Sequence, residues 1–329
     1  MNINKYTICN SPTEKVLFEN REIYIKRDDL LHPDFSGNKA RKFYYYLLQD
    51  FPDIKKVVSY GSNQSNAMYS LSVLAKAKGW EFEYYTDHIP SYLRDSPIGN
   101  YKYALQNGMK LIVGRGKPKK EEIEDISTVF IEEGGRDQNS YAGIRVLARE
   151  IISWQQQEGI DELNIFLPSG TGTTALFLQK ALVEFSQNSL ESETFSKRVH
   201  STRVPKRARL KPSVPSFIDV YTTPCVGDSD YLKLQFEMLE KNPSKHPHIV
   251  KPPKKYHFGK LYRDSYEIWL KLRDSLGIEF DMLYDPIGWL TLMSTPKIFE
   301  KPTLYIHQGG AIGNESMIQR YKRKYGEDI

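Results

Sequence analysis

Cysteine is nearly absent. Cys9 and Cys225 are the two in 329 residues. That is too few for a disulfide framework, so a soluble cytoplasmic protein is the default expectation. No long continuous apolar run occurs, which argues against a transmembrane helix. Residues 1–10 are too polar for the apolar core of a signal peptide. The histidines and cysteines form no ligand-spaced cluster, so no metal is expected. The chain lacks the Gly-x-Ser-x-Gly elbow of a serine hydrolase. It also lacks the Gly-Lys-[Ser/Thr] ending of a Walker loop. Charge of one sign is scarce too: 46 basic and 41 acidic residues leave +5. The segment 191–211, with Lys197, Arg198, Arg203, Lys206, Arg207, Arg209 and Lys211 against Glu191 and Glu193, carries +5 by itself. The rest is neutral overall, so a diffuse nucleic-acid surface is not implied. This segment is the only candidate for a polyanion contact.

What is present is ordinary globular material. Hydrophobic residues make up 40% and charged residues 26%, which excludes wholesale disorder. The length suits two domains better than one core. Strand-like runs at 22–26, 55–60, 81–86, 110–113, 128–132, 163–167, 217–222 and 303–307 alternate with helical stretches. The helices are expected at 39–49, 66–78, 97–107, 141–158, from about 174, and at 262–275. Gly79, Gly108, Gly159 and Gly277 stand where helices should stop. This alternation predicts an α/β protein with mainly parallel sheets flanked by helices. The stretch 184–215 has no sustained apolar periodicity and reads as a surface loop or partly disordered insertion.

Four turns could carry chemistry. In Ser36-Gly37-Asn38-Lys39-Ala40-Arg41-Lys42, Lys39 sits at a helix start. There the positive end of the helix dipole disfavours its charge and lowers its pKa. A neutral amine is what imine chemistry needs, though a surface lysine in a basic turn is equally open. Gly61-Ser62-Asn63-Gln64-Ser65-Asn66 lies between a strand and a helix. It would cap the helix and could hold a carboxylate or phosphate on free N–H groups. Ser169-Gly170-Thr171-Gly172-Thr173-Thr174 follows a buried-type strand and has the form of a phosphate cradle. His307-Gln308-Gly309-Gly310 ends the last strand and allows close approach of a ring or phosphate, or is a plain turn.

In order, these motifs resemble the pyridoxal-phosphate (PLP) enzymes of the tryptophan-synthase β-subunit fold, fold type II. More narrowly they resemble the 1-aminocyclopropane-1-carboxylate (ACC) deaminase and D-cysteine desulfhydrase family. Residues 25–30, 37–42 and 64–66, Gly99-Asn100, Glu133-Gly134-Gly135, the 169–174 turn, Asp285-Pro286 and residues 307–310 follow the family order. The resemblance implies covalent attachment of PLP to Lys39. It implies cofactor contacts from Asn38, Asn66, Ser169, Gly170, Thr171, Gly172, Thr173, Thr174 and Gln308. Asn63, Gln64 and Ser65 would meet the substrate carboxylate, and Ser65 or Lys39 would move protons. Phe258, Gly288 and Trp289 fall in the part that meets the substrate. There the family usually has a tyrosine two residues after Asp-Pro, and a Tyr-Gly pair where this chain has Phe258-Gly259. Tyr256 and His257 are near in sequence.

The implied activity is that of a PLP-dependent lyase or deaminase. It would act on a small amino acid, by Cα–H removal and elimination, to give a keto acid and ammonia. The alternative is a PLP-binding protein of the same fold with little turnover, a carrier, sensor or scaffold. The resemblance further implies a homodimer. It implies a smaller inserted domain over residues 44–152 and a larger one from 1–43 plus 153–329, with a basic insertion at about 186–216.

Overall fold

The structure is a computed structural model that describes residues 8–199 and 217–326. The strands are β1 (Thr13–Phe18), β2 (Arg21–Arg27), β3 (Lys56–Tyr60), β4 (Glu81–Thr86), β5 (Met109–Val113), β6 (Thr128–Ile131), β7 (Glu162–Ser169), β8 (Phe217–Pro224), β9 (His248–Ile249) and β10 (Thr303–His307). The α-helices are α1 (Gly37–Leu48), α2 (Asn66–Lys78), α3 (Ser91–Asp95), α4 (Gly99–Gln106), α5 (Lys120–Ile123), α6 (Ser140–Gln157), α7 (Thr173–Val199), α8 (Ser229–Leu239), α9 (Arg263–Leu276), α10 (Asp285–Met293) and α11 (Asn314–Tyr325). They build two sheets, one ordered β1-β2-β10-β7-β8-β9 and the other β5-β4-β3-β6. All pairings are parallel except β1 with β2.

Alternation along the central strands sets the layers. On β7, Leu163, Ile165 and Leu167 turn to one core with Leu304 and Ile306 of β10. Phe166 and Tyr305 turn to the other. The first core is closed by α6 and α7, the second by α9 and α10. Burial on both faces is what a parallel sheet under two helical layers requires, and it explains the nearly unbroken apolar run of β7. The smaller sheet has its own core, around Val57, Leu71, Phe82 and Tyr84.

Helices α1 and α6 run between the sheets, and their backbones nearly touch. A Cβ at Gly143 would lie 1.9 Å from the Arg41 carbonyl oxygen. A buried ion network pins this pair to β2. The fully buried Arg41 guanidinium holds Asp28 at 2.7 Å and Glu150 at 2.7 Å, and Lys26 reaches Glu150 at 2.9 Å. Burial alone would raise the Asp28 carboxyl, but Arg41, Ser11 and Lys26 together outweigh it and the net direction is down.

One sequence expectation is corrected. Residues 184–199 are not a loop, because α7 runs unbroken to Val199. No glycine or proline interrupts 173–199, so nothing stops the helix although the apolar stripe fades. The rest of the basic stretch, 200–216, lies outside the described residues.

Candidate active site

Four parallel strands end toward one cleft, and each exit carries a sequence motif. The cavity has a volume of about 450 Å³, within the usual range for small-molecule sites. Lys39 is the third residue of α1, and its Nζ lies 3.2 Å from Asn38 Oδ1. Burial lowers its pKa to about 8, against the opposing pull of Asp281. The start of α1 is pressed on the exit of β10. Asn38 N donates to the Gln308 carbonyl at 2.9 Å. Asn38 Nδ2 also donates to Gln308 Oε1 at 2.9 Å. A Cβ on Gly37 would sit 1.9 Å from the Gln308 carbonyl oxygen, and its φ of +67° independently favours glycine. Gln308 Nε2 completes the brace by donating to Pro168 O at 2.6 Å.

From the smaller sheet, Ser65 caps α2, its Oγ accepting from Ala67 N at 3.1 Å and Met68 N at 3.4 Å. Asn66 opens that helix and bridges two groups. Its Oδ1 accepts from Asn100 at 2.6 Å, and its Nδ2 donates to Asp281 Oδ2 at 3.3 Å. Asn63 Nδ2 is committed to His88 O at 2.7 Å. Gln64 leaves a buried Oε1 without a partner.

Across the cleft lies the 169–174 turn, at the head of α7. Ser169 Oγ meets Thr222 at 2.6 Å, and Thr171 meets Thr173 at 3.0 Å. Gly172 has φ +71°, and a Cβ there would strike Phe236 at 2.4 Å. Thr174 Oγ1 is buried with no hydrogen-bond partner. Lys42 is buried as well, with Nζ donating to Gly134 O at 2.9 Å. Gly134 in turn abuts Thr171, 3.0 Å from where its Cβ would be. Burial, then Lys39 and Arg136, hold the Lys42 amine well below its ordinary value. An orphaned hydroxyl, a helix N-terminus and a buried amine with no carboxylate against it among the described residues together fit a phosphate dianion, which would favour the ammonium form of Lys42.

The structure therefore gathers Asn38, Lys39, Asn63, Gln64, Ser65, Asn66, the whole 169–174 turn, Phe258 and Gln308 around one cleft. It does not bring Gly288 or Trp289 there. Trp289 is fully buried, stacked at 4.6 Å on Tyr305 and edge-on to Phe18 and Phe280. A Cβ on Gly288 would meet Tyr305 Oη at 2.8 Å, so that position faces the core. Tyr256 donates to Asp264 at 2.8 Å and is likewise no part of the wall.

Among the residues that line the cleft, Asp281 and Tyr284 are missing from the sequence reading. Asp281 is buried. Its Oδ1 accepts from Leu283 N at 2.8 Å and Tyr284 N at 2.7 Å. Burial raises its carboxyl to about 6, in spite of those bonds. Tyr284 follows, its phenol also raised by burial and by Asp281. The available signal was an acid set in the apolar run 280–284, just ahead of the noted Asp285-Pro286.

No protein-family model matches the chain. A Pyrococcus furiosus protein named "Putative 1-aminocyclopropane-1-carboxylate deaminase" is 25% identical over 309 residues, 89% of this chain and 85% of that protein. Among solved structures, one described as an ACC deaminase homologue superposes with a TM-score of 0.72 at 19% identity, covering 96% of this chain and 94% of that one. A hydrogen sulfide-producing enzyme from Fusobacterium nucleatum gives 0.60 at 13% identity, over 95% and 99%. The chain has the fold type II architecture. Other fold-type II structures that align include a threonine deaminase from Solanum lycopersicum, at a TM-score of 0.60 and 13% identity, over 99% of this chain and 90% of that one. The resemblance read from the motifs is thus matched over nearly the whole chain.

Proposed function

We propose that the protein is a PLP-dependent lyase or deaminase. It acts on a small amino acid, removing the Cα proton and a β-substituent to leave a keto acid and ammonia. One observation carries the reading. A lysine amine with its pKa lowered to about 8 lines a cleft that also holds the buried Lys42 and the glycine turn. Bound there, PLP supplies an electron sink that acidifies the substrate's Cα–H bond.

The chain's own residues divide the remaining work. Thr171 to Thr174, the α7 N-terminus and Lys42 hold the phosphate. Asn66 and Gln308 orient the ring. Ser65 Oγ already accepts two helix N–H groups and lies against the Tyr84 phenol, so its proton turns from Tyr84 to the substrate carboxylate beside the α2 N-terminus. Lys39 Nζ receives the Cα proton. Residues 44–152, with the smaller sheet, form the inserted domain in this reading. The likeness to an ACC deaminase homologue and to a hydrogen sulfide-producing enzyme supports this reaction class.

The purified protein should be yellow. Borohydride reduction followed by peptide mapping should find the coenzyme on Lys39. D-cysteine or β-chloro-D-alanine should release ammonia and a keto acid by this route; ACC, which has no Cα proton, would do so only by ring opening in its place. A coenzyme mapped to a different lysine, or a broad panel of D- and L-amino acids without product, defeats the reading. A second reading, a PLP-binding protein with little turnover, is favoured by the absent hydroxyls at Phe258 and Gly288. It predicts amino-acid-induced spectral shifts with no product.

A further inference from the structure

We propose that this cleft selects an amino acid whose β-substituent is an oxyanion ester, a phosphate or sulfate on the β-oxygen, and that Arg320 of α11 is the residue that reads it. The inference rests on the lyase reading above and narrows its substrate. A local concentration of positive charge supports it. Residues 250–263 and 316–326 hold nine lysines and arginines and no acid, although the chain outside 191–211 is neutral in total.

The fold brings the two segments together at the cleft mouth. Side chains of α11 hold backbone carbonyls of the other segment. Arg320 Nη2 donates to Gly259 O at 2.5 Å, and Tyr321 Oη donates to Tyr262 O at 3.2 Å. Lys324 Nζ and Tyr325 Oη both donate to Leu261 O, at 2.8 and 3.1 Å. Phe258, Gly259, Met317 and Arg320 line the cleft itself. Lys254, Lys255 and Lys260 stay exposed on the same segment. The Arg323 guanidinium lies 4.3 Å from the ring of Tyr92, which lines the cleft beside the smaller sheet. Positive charge around a mouth raises the local concentration of a dianion and speeds its entry.

Arg320 is the arginine of this group that reaches the cleft wall. Besides Gly259 O it contacts Met317 Sδ at 3.1 Å, and it has no carboxylate partner among the described residues. Those contacts use only part of its set of N–H donors. An unpaired guanidinium offers a fork that suits a phosphate or sulfate. The substrate's own carboxylate goes to Ser65 and the α2 N-terminus, so this fork is left for a second anion. The acids of the wall stand elsewhere. Asp281 is bonded to Asn66 and to the Leu283 and Tyr284 amides. Glu133 Oε1 lies 2.9 Å from where a Cβ on Gly61 would be, and its neighbour Gly134 abuts Thr171 of the glycine turn. Both repel a second anion toward α11.

The bonds and electrons balance. Lys39 Nζ takes the Cα proton, and that C–H electron pair becomes the Cα–Cβ π bond. The Cβ–O pair leaves on the ester oxygen. The proton on Lys39 then accompanies a phosphate as hydrogen phosphate, or passes to solvent after a sulfate. Water converts the remainder to pyruvate and ammonia.

The test uses the PLP-loaded protein and both enantiomers of each ligand. One ligand is the phosphonate analogue of O-phosphoserine, with a methylene in place of the ester oxygen so that nothing leaves. The other is norvaline, its neutral counterpart. Wild type should bind the phosphonate on the order of tenfold more tightly, read by the shift of the coenzyme spectrum. The phosphonate's association rate should fall severalfold as ionic strength rises from about 0.01 to about 0.15 M, and norvaline's should not. Arg320→Gln should erase the preference, and Arg320→Lys should keep part of it. The ratio of kcat/KM for O-phosphoserine or serine O-sulfate over β-chloroalanine should fall with the same variants. A role confined to clasping Gly259 would weaken phosphonate and norvaline alike and leave their ratio intact, and that result overturns the assignment. So does a wild type without the preference, or with equal salt dependence for the two ligands. Release of phosphate against release of sulfate tells which ester is the substrate. A protein that takes up no PLP overturns this and the lyase reading together. One that loads PLP and eliminates from β-chloroalanine, but releases neither anion, overturns this one alone.

Discussion

At Lys39 the competition is between burial, which favours the neutral amine, and Asp281, which favours the ammonium; burial wins, and the pKa falls to about 8. Attack on an aldehyde needs the neutral form. The rate of PLP capture by coenzyme-free protein should therefore rise tenfold per pH unit below about 8 and flatten above it. Stopped-flow absorbance at a series of pH values checks this, and a rate still climbing at pH 10 contradicts it. Asp281→Asn removes the opposing carboxyl and should move the inflection to lower pH.

Lys42 presents the opposite balance. Its amine is buried with a carbonyl for a partner and two cations nearby, which disfavours its charge, and burying such a group costs folding free energy. Lys42→Met should leave the coenzyme-free protein at least as heat-stable as wild type. It should weaken PLP and inorganic phosphate by roughly tenfold or more, about 1.4 kcal/mol. Calorimetry on both ligands separates the two effects. A variant that binds phosphate normally removes Lys42 from the site.

Among the elements, glycines separate what is local from what is not. Gly79 and Gly277 end α2 and α9 in the left-handed conformation, at φ +73° and +65°. Both helix ends were legible because a residue type met a local backbone need. Gly143 is different. Its glycine is demanded by Arg41, about a hundred positions away in sequence, and no local pattern announces that. Gly79→Ala meets no atom within 4 Å, and should cost only the left-handed strain, ~1 kcal/mol. Gly143→Ala must push α1 off α6, should cost ~1–3 kcal/mol or more, and should weaken PLP binding by shifting Lys39. Urea unfolding ranks the two, and an equal cost would refute the close-approach account. The misreading of 184–199 has the same root. Apolar periodicity reports a buried face, and α7 continues after that face fades.

Across the whole molecule, the legible part of the site is the part delivered by strand ends. Residues 28–39, 61–66, 169–174 and 307–310 each follow a parallel strand or begin the helix after it, so a run of apolar residues followed by glycine and hydroxyls marked them in sequence. Asp281 and Tyr284 reach the same cleft on an irregular segment ahead of α10. Trp289, one residue beyond the expected tyrosine position at Gly288, turns into the core instead. Tertiary packing decides those directions, and spacing from Asp285-Pro286 does not.

The cleft also joins the two sheets. Ser65 and Asn66 come from the smaller one, and the glycine turn and Gln308 from the larger. A ligand held by both must stabilise them together. PLP at a hundred times its dissociation constant should add ~2.7 kcal/mol, a rise in midpoint on the order of 5 °C for a chain of this size. Lys39→Ala loses the covalent link yet keeps Lys42, Thr174 and the α7 N-terminus. It should retain a smaller rise with PLP, and inorganic phosphate a smaller one still. Differential scanning calorimetry orders the three. If phosphate and PLP give the wild-type protein the same rise, the ring and Lys39 contribute nothing to holding the coenzyme, and the cleft binds only an anion.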